Sequence, residues 1–300
     1  MKSKFLLILL TSTVFISCSA KKMATNVIGD IGERGMIAIE SEQDVEFAKQ
    51  ASLPLIKTLE VLRYGNPSDS TTLNLLSKAY GQYAFAFLEQ DLLTYKEGSP
   101  EYEKAKLRMD LFYKRGKEYG IAAIISKHSY MKKAFKSHFK TFEKTLTKMS
   151  KSDVDILFWT AFNWANWLNL NKDDPTAIVN LPRIEAMAKR VVELDDNFYF
   201  GSAHTLIGTI AVSRPQMLGG NPSLSKEEFM KAEKIAPDYL MSKVLYAQHY
   251  ARMQNDKNLF VQTLDSIEDL PIGDSPRMRL SNEIAKLRAK LLLNKTKQYF

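Results

Sequence analysis

The sequence predicts an all-α protein built from antiparallel helix hairpins that stack into a tetratricopeptide-like superhelical bundle. Apolar residues recur at helical spacing from Ser41 to the end of the chain, and helix-capping residues lie between these patterns. No stretch of alternating β-branched residues lies between turn signals, so we predict no β-strand. The composition, 45% hydrophobic and 25% charged, is typical of a soluble globular protein.

The first residues do not belong to this helical body. Lys2 and Lys4 precede an apolar run that continues to Ile16, which is too short for a permanent membrane span. We therefore predict that residues 1–17 are a signal peptide. Ser17 before Cys18 resembles a lipobox, and Cys18 is the single cysteine of the chain, so we predict that it is acylated. The alternative is an ordinary signal peptide cut near Ala20.

Residues 18–40 are predicted to be a lipidated flexible tether, because they contain three glycines and show no strong hydrophobic period. Residues 41–300 are predicted to form the all-helical domain. Its helices are expected at about residues 41–63, 68–92, 100–123, 135–146, 153–170, 181–194, 198–214, 224–235, 238–254, 257–270 and 276–298. At the start of the fifth of these, Ser152 and Asp155 resemble a capping box.

The second half of the chain shows a weak tetratricopeptide-like pattern. Gly208 fits the first helix of such a repeat, and Phe229, Ala232 and Pro237 fit the second helix and its end. Residues 214–221 form a loop longer than the pattern needs. Hairpins of this kind stack on their neighbours and build a concave surface.

The chain offers no recognisable catalytic chemistry. None of its four histidines forms a zinc-type pair with a nearby Glu or Cys, and hydrolase, phosphate-loop and dinucleotide motifs are absent. We therefore predict no enzyme activity, no metal and no cofactor. The net charge is +8, densest between Lys127 and Lys151, which is typical of a solvated helix face. We expect no nucleic-acid partner.

Two segments are candidates for a binding site. Residues 158–167 hold all three tryptophans, and this helix forms either a packed core or the aromatic wall of a cavity, with asparagines orienting a ligand. The loop at 214–221 is the second, either a plain connection or a contact loop. The candidate ligand-binding residues are Tyr80, Tyr83, Phe87, Trp159, Phe162, Asn163, Trp164, His204, Arg214 and Met217.

Several segments, in this order and spacing, resemble the TatT family of periplasmic lipoproteins associated with TRAP transporters. They are residues 76–87, residues 158–167, His204 with Gly208, residues 214–220 and residues 280–285. The resemblance implies a tetratricopeptide-like fold and a homotrimer with pore-like cavities. It also implies a periplasmic solute-binding partner subunit and a small hydrophobic or organic-acid ligand. Asp196 stands where a repeat-ending proline is common, which leaves the number of repeats open.

The leading hypothesis is a lipid-anchored periplasmic binding component that holds or passes a small ligand for a TRAP-type transporter. We expect the anchor to lie in a bacterial envelope membrane, the outer membrane in preference to the inner. The alternative is a repeat-type scaffold lipoprotein without a small ligand. An envelope hydrolase is the third and weakest hypothesis.

Overall fold

The computed structural model describes residues 31–300, and over this range the chain is helical with no β-strand. The all-α prediction is thereby confirmed. The signal peptide, Cys18 and residues 19–30 lie outside the described residues. Residues 31–40 differ from the predicted tether, because they form a helix, α1, whose Met36 and Glu40 are buried. The three-residue step from Met36 to Ile39 gives this helix an apolar face that contacts the interior.

The other helices follow the predicted order with shifted ends, except that two short helices, Met131–Ala134 and Pro175–Ile178, lie where none was predicted. The helices after α1 are α2 Val45–Gly65, α3 Ser70–Tyr83, α4 Glu89–Thr94, α5 Pro100–Lys127, α6 Met131–Ala134, α7 Phe139–Leu146, α8 Val154–Leu170, α9 Pro175–Ile178, α10 Leu181–Leu194, α11 Phe198–Ala211, α12 Pro222–Ile235, α13 Leu240–Leu245, α14 Lys257–Glu268, α15 Pro276–Asn294 and α16 Thr296–Tyr299. Two π-helical segments, Ala84–Leu88 and Tyr246–Ala251, connect α3 to α4 and extend α13. Short 3₁₀ turns occupy Lys151–Asp153 and Gln216–Leu218.

Helices α3, α5 and α8 pack closely together, with α5 antiparallel to the other two. Glycines face the neighbouring helices at the points of closest approach, so that a Cβ built on Gly81 would lie 2.7 Å from Asn163 Oδ1. A Cβ on Gly116 would overlap the same carboxamide, and one on Gly120 would overlap the Thr160 hydroxyl. The three helix backbones lie this close because glycine occupies these positions.

Helices α11 and α12 form the hairpin that the repeat pattern predicts. A Cβ on Gly208 would lie 2.9 Å from Phe229, so this glycine faces that ring across the hairpin. The superhelical stacking of such hairpins stays a prediction. Helix α11 opens with an unusual turn, because Tyr199, Phe200 and Gly201 all have left-handed backbone angles, with φ of 44°, 63° and 71°. This turn directs the Tyr199 side chain into the interior, where it lines the central cavity.

The last long helix closes the fold. Helix α15 packs against α13 and α14 on one side and against α2 and α4 on the other. The C-terminal hairpins therefore contact the N-terminal helices directly. A cavity lies between the N-terminal and C-terminal helices. Residues of α1, α2, α3, α8, α11, α13 and α15 line it.

Candidate functional site

The central cavity has a volume of about 260 Å³. Most of its lining is apolar, including Met36, Leu55, Met109, Leu206, Met241 and Ile284. Asn169, in the last turn of α8, lines the cavity and is also exposed to solvent, so the cavity approaches the surface beside that turn. An apolar cavity with a few polar groups is the usual form of a small-molecule site.

Both π-helical segments lie in the cavity wall. The first contributes three consecutive side chains, Phe85, Ala86 and Phe87, and the second contributes Gln248 and His249. In a regular α-helix successive side chains point about 100° apart, so three in a row do not share one narrow face. The wider turn brings them to the same cavity. Such segments occur frequently at functional sites.

Helix α8 supplies the aromatic wall with Phe158, Trp159 and Phe162. Phe85 packs edge-on against Phe162 with ring centroids 5.5 Å apart, and Tyr199 packs edge-on against Trp159 at 5.2 Å. The indole nitrogen of Trp159 donates a hydrogen bond to Asp155 Oδ1 at 3.1 Å. Because its one donor is already bonded, the Trp159 ring presents an apolar surface to the cavity.

Glu40, at the end of α1, is a buried carboxylate in the cavity wall. It accepts hydrogen bonds from Gln82 Nε2 at 2.9 Å and Tyr199 OH at 3.2 Å, and it pairs with Lys78 Nζ at 2.8 Å and Arg277 Nε at 3.2 Å. Burial alone would raise its pKa, but the adjacent Lys78, Gln82 and Arg277 outweigh this and lower the pKa of the carboxyl group. Glu40 is therefore ionised near neutral pH.

A second buried charge pair joins α4 to α15. Arg288 is completely buried, with Nη1 3.0 Å from Glu89 Oε2, and Tyr113 OH donates to the other oxygen of that carboxyl group. Burial raises the pKa of Glu89 more than Arg288 and Tyr113 lower it. Glu89 lines the cavity, so the small part of its side chain that is not buried faces the cavity.

Two polar side chains in the cavity wall have an oxygen atom without a hydrogen-bond partner in the described part of the chain. Gln248 and Thr205 line it, and Gln248 Oε1 and Thr205 Oγ1 are buried without a hydrogen-bond partner among residues 31–300. Burial, with Arg252 and Arg288 nearby, lowers the pKa of His249 to about 3, so its imidazole is neutral. A buried polar atom without a partner costs about 1–3 kcal/mol. A ligand that offered hydrogen bonds here would remove that cost.

The structure brings four of the ten candidate residues to this cavity: Tyr83, Phe87, Trp159 and Phe162. Asn163 faces the other way and donates to the carbonyl oxygens of Ser77 at 2.9 Å and Trp159 at 2.7 Å. It therefore fills the contact between α3, α5 and α8.

The other five candidates lie elsewhere. Tyr80 donates to Glu60, Trp164 packs near Phe135, and His204 lies 2.6 Å from Glu228 and 2.7 Å from Asp196. Arg214 reaches Glu185 at 3.6 Å, and Met217 is 89% exposed. A ligand role for these residues stays a prediction.

Sequence reasoning missed Glu40, Glu89, Tyr199, His249 and Arg288. Arg288 carries a readable signal, because it continues the four-residue spacing of Leu280 and Ile284 and so places a charge on the apolar face of α15. Glu40 gives no such signal, since the surrounding residues show no strong hydrophobic period. The left-handed turn that positions Tyr199 also leaves no residue pattern, because only one of its three residues is glycine.

Residues 31–300 show neither a metal site nor a membrane span. No group of three or more His, Cys, Asp or Glu side chains among them is arranged to hold a metal ion. None of their helices combines the length and the hydropathy that crossing a membrane requires.

Comparisons with known proteins identify relatives of this chain. A protein of Treponema pallidum (strain Nichols), described only as uncharacterised, is 21% identical over 266 residues, which cover 86% of this chain and 81% of its own length. The family model TAtT, TRAP transporter T-component, matches residues 41–300. This confirms the resemblance that the sequence segments indicated, and the family is one of transporter components and not of enzymes. The chain therefore belongs to the TRAP transporter T-component family, which associates it with a TRAP transporter.

Proposed function

We propose that this protein is a lipid-anchored periplasmic T-component that holds a small ligand in its central cavity and exchanges it with a solute-binding subunit. The observation that carries the proposal is the cavity itself, with its aromatic wall and two π-helical segments. Acylated Cys18 would hold the domain at an envelope membrane, with the outer membrane as the expected location.

The lining favours one kind of ligand. Its apolar part would contact Phe85, Phe87, Trp159 and Phe162, while a hydrogen-bonding end would reach Gln248 and Thr205. Lys78 and Arg288, which lie behind the lining residues Glu40 and Glu89, already form ion pairs with them. These contacts favour a mainly apolar, uncharged ligand with one polar end over a free carboxylate.

Ligand binding is tested by the fluorescence of the tryptophans during titration with a series of apolar alcohols, amides and acids of increasing chain length. Trp159 lines the cavity, so we expect a saturable change for those ligands that fit. Ala86→Phe places a ring in the cavity and is expected to weaken binding at least about tenfold. Ala51→Phe, on the neighbouring α2 but outside the lining, is the matched control.

Two outcomes would contradict this assignment. One is the absence of any saturable change across the series. The other is equal binding by the wild type and by an Ala86→Phe variant whose thermal melt shows that it is folded.

The proposed solute-binding partner and the proposed homotrimer are tested by separate experiments. We expect the protein without its lipid to form a homotrimer in light scattering and to retain the transporter's solute-binding subunit in a pull-down. A monomer that retains no subunit would argue against both parts of the proposal.

The alternative of a scaffold protein has one structural observation in its favour. A surface groove of about 390 Å³ lies between α12, α13 and α14, lined by Phe229, Met230, Tyr246 and Leu259 among others. A scaffold would bind partners there and leave the cavity empty. Loss of partner binding in Met230→Glu, with no saturable ligand response in the wild type, would favour it.

A further inference from the structure

The segment from Lys127 to Lys151 contains eight lysines and one glutamate, a net charge of +7. This is nearly all of the +8 of the whole chain, so the remaining described residues are together close to neutral. All eight lysines are exposed. Six of them, which we call the lysine face, form no ion pair with any residue in the described range: Lys132, Lys133, Lys136, Lys140, Lys144 and Lys148.

The lysine face is held in place by the structure beneath it. Met131, Phe142, Leu146 and Met149 of the same segment are buried in the core. Helix α10 fixes both ends of α7, because Arg183 donates to the carbonyl oxygen of Ser137 and Arg190 donates to that of Met149 at 2.6 Å. The lysines therefore project from a rigid support and not from a loose loop.

The spacing of these lysines is unfavourable for the isolated protein. Five of them recur at every fourth residue, from Lys132 to Lys148. Like charges four residues apart on a helix, such as Lys140 and Lys144 on α7, repel each other. A surface that carries several positive charges without negative charges beside them favours an anionic partner.

The path of the chain indicates what this partner is. A Cβ built on Gly32, near the start of the described residues, would meet the side chains of Leu75 and Leu59. The neighbouring Asn74 donates to Asp155, and Asp153 pairs with Lys127 at 2.7 Å. The described chain thus begins at the same end of the molecule as the ends of the lysine-rich segment.

Twelve residues, 19–30, separate Cys18 from the described residues, and a chain of this length spans at most about 40 Å when extended. An acylated Cys18 would therefore keep this end of the domain within that distance of the lipid headgroups. Tethering of this kind raises the effective concentration of a weak second contact. The anchor and the lysine face would then act together.

We propose that the lysine face docks on the anionic phospholipid headgroups of the membrane that holds the anchor. Clusters of basic residues beside a membrane bind anionic lipids in this way. Docking would set the orientation of the domain, and with it the direction in which the cavity opens. The tether argument rests on the anchor of the proposed function, whereas the headgroup contact is tested without it.

The test is co-sedimentation of residues 18–300 carrying Cys18→Ser with vesicles of phosphatidylcholine alone, or with about one third phosphatidylglycerol. We expect binding only to the anionic vesicles, and we expect it to fall steeply as salt is raised. Replacing Lys132, Lys136, Lys140 and Lys144 with Gln is expected to weaken binding at least about tenfold. Replacing Lys104, Lys106, Lys114 and Lys257 with Gln is the matched control, since these lysines are also exposed and unpaired within the described chain.

Three results would overturn the proposal. The first is equal binding to neutral and anionic vesicles. The second is an equal loss of binding in the lysine-face variant and its control. The third is the absence of vesicle binding together with capture on immobilised polyglutamate, which would make the face a contact for an acidic protein. Ligand binding in the cavity is measured separately, so either proposal can fail alone.

Discussion

At the scale of single residues, Glu40 connects more of the molecule than any sequence pattern around it suggests. Its carboxylate, on α1, contacts Lys78 and Gln82 of α3. It also contacts Tyr199 of α11 and Arg277 of α15. The ammonium of Lys78 also lies 5.7 Å from the ring of Trp159. The positions of α1 and of the Lys78 ammonium beside Trp159 therefore depend on one ionised group.

Glu40→Gln is expected to lower the free energy of unfolding by about 3 kcal/mol near neutral pH, because it leaves Lys78 buried without its counter-charge. The folded-state pKa of Glu40 lies below its ordinary value of 4.5. The difference from wild type is therefore fully present above pH 4.5 and disappears as the pH falls through the lowered pKa.

Urea unfolding at several pH values measures this difference. Glu193→Gln is the control, because Glu193 is exposed where it pairs with Arg190 and its replacement should change stability by no more than about 0.5 kcal/mol. Equal effects of the two substitutions would show that the Glu40 contacts are not stabilising.

His204 gives the opposite pH dependence. Burial alone would lower its pKa, but hydrogen bonds to Glu228 and Asp196 outweigh this and raise the pKa above 6.5. Its contribution is therefore present below pH 6.5 and is lost as the pH rises through the raised folded-state value. His204→Gln should cost about 2 kcal/mol near pH 6 and less at pH 9.

Thermal melts across this range check the expectation, with the exposed His138→Gln as the control. A cost that stays constant from pH 6 to pH 9 would mean that His204 is not charged in the folded protein.

At the scale of helices, the contact of α3, α5 and α8 depends on residues that have almost no side chain. Gly116→Ala should destabilise the protein by about 2–3 kcal/mol, although alanine is the better helix former by about 1 kcal/mol. The reason is that its Cβ would overlap the carboxamide of Asn163. Urea unfolding measures the change.

Gly65→Ala is the control for this substitution. Gly65 ends α2, and a Cβ built there would meet no neighbouring atom within 4 Å, so alanine should be neutral or stabilising by up to about 1 kcal/mol. Combining Gly116→Ala with Asn163→Ala should cost less than the sum of the two, since the second change removes the overlap. Simple additivity would show that the two residues do not interact.

The helices show how much a sequence pattern can predict. Long segments such as α5 and α15 were predicted with correct starts, because a proline in the first turn marks where each helix begins. The capping box, in contrast, is formed by Ser150 and Asp153, two residues before the predicted pair. Both pairs have the same spacing, and only the observed 3₁₀ turn distinguishes them.

The sequence predicted only part of the candidate site, because residue spacing does not show which neighbour a side chain contacts. Helical spacing placed Trp159, Phe162 and Asn163 on one face, but the cavity takes Trp159 and Phe162 while Asn163 enters the helix contact. A difference of one residue, about 100° around the axis, separates these roles. Periodicity alone does not resolve which neighbour covers which part of a face.

At the scale of the whole molecule, the proposed anchor at Cys18 can be tested separately from the helical body. Cys18→Ser is expected to move the protein from the membrane fraction to the soluble periplasmic fraction when the membranes are washed with high salt, because the acyl anchor is then absent and salt screens the proposed contact of the lysine face. Cell fractionation and labelling with a fatty acid measure the change. Ser19→Ala, which leaves the cysteine in place, is the control, and unchanged fractionation of Cys18→Ser would contradict the anchor.

The contact of the last long helix, α15, with the N-terminal helices could not be predicted from the sequence. The weak repeat pattern indicates hairpins, and the α11–α12 hairpin matches it through Gly208 and Phe229. The return of α15 onto α2 and α4 depends on contacts between residues about 200 positions apart, such as Arg288 with Glu89 and with the carbonyl oxygen of Phe85. No local pattern encodes such a pairing.

The two π-helical segments make the cavity sensitive to insertions and deletions as well as to substitutions. Each holds its side chains in place by carrying more residues per turn than an α-helix does. Removing one residue from Ala84–Leu88 would allow a regular α turn, so the helix on either side would keep its direction, and the cavity would lose one of the three consecutive side chains that line it. Among chains of this kind, the length of these segments should therefore govern cavity shape as strongly as the identity of the residues within them.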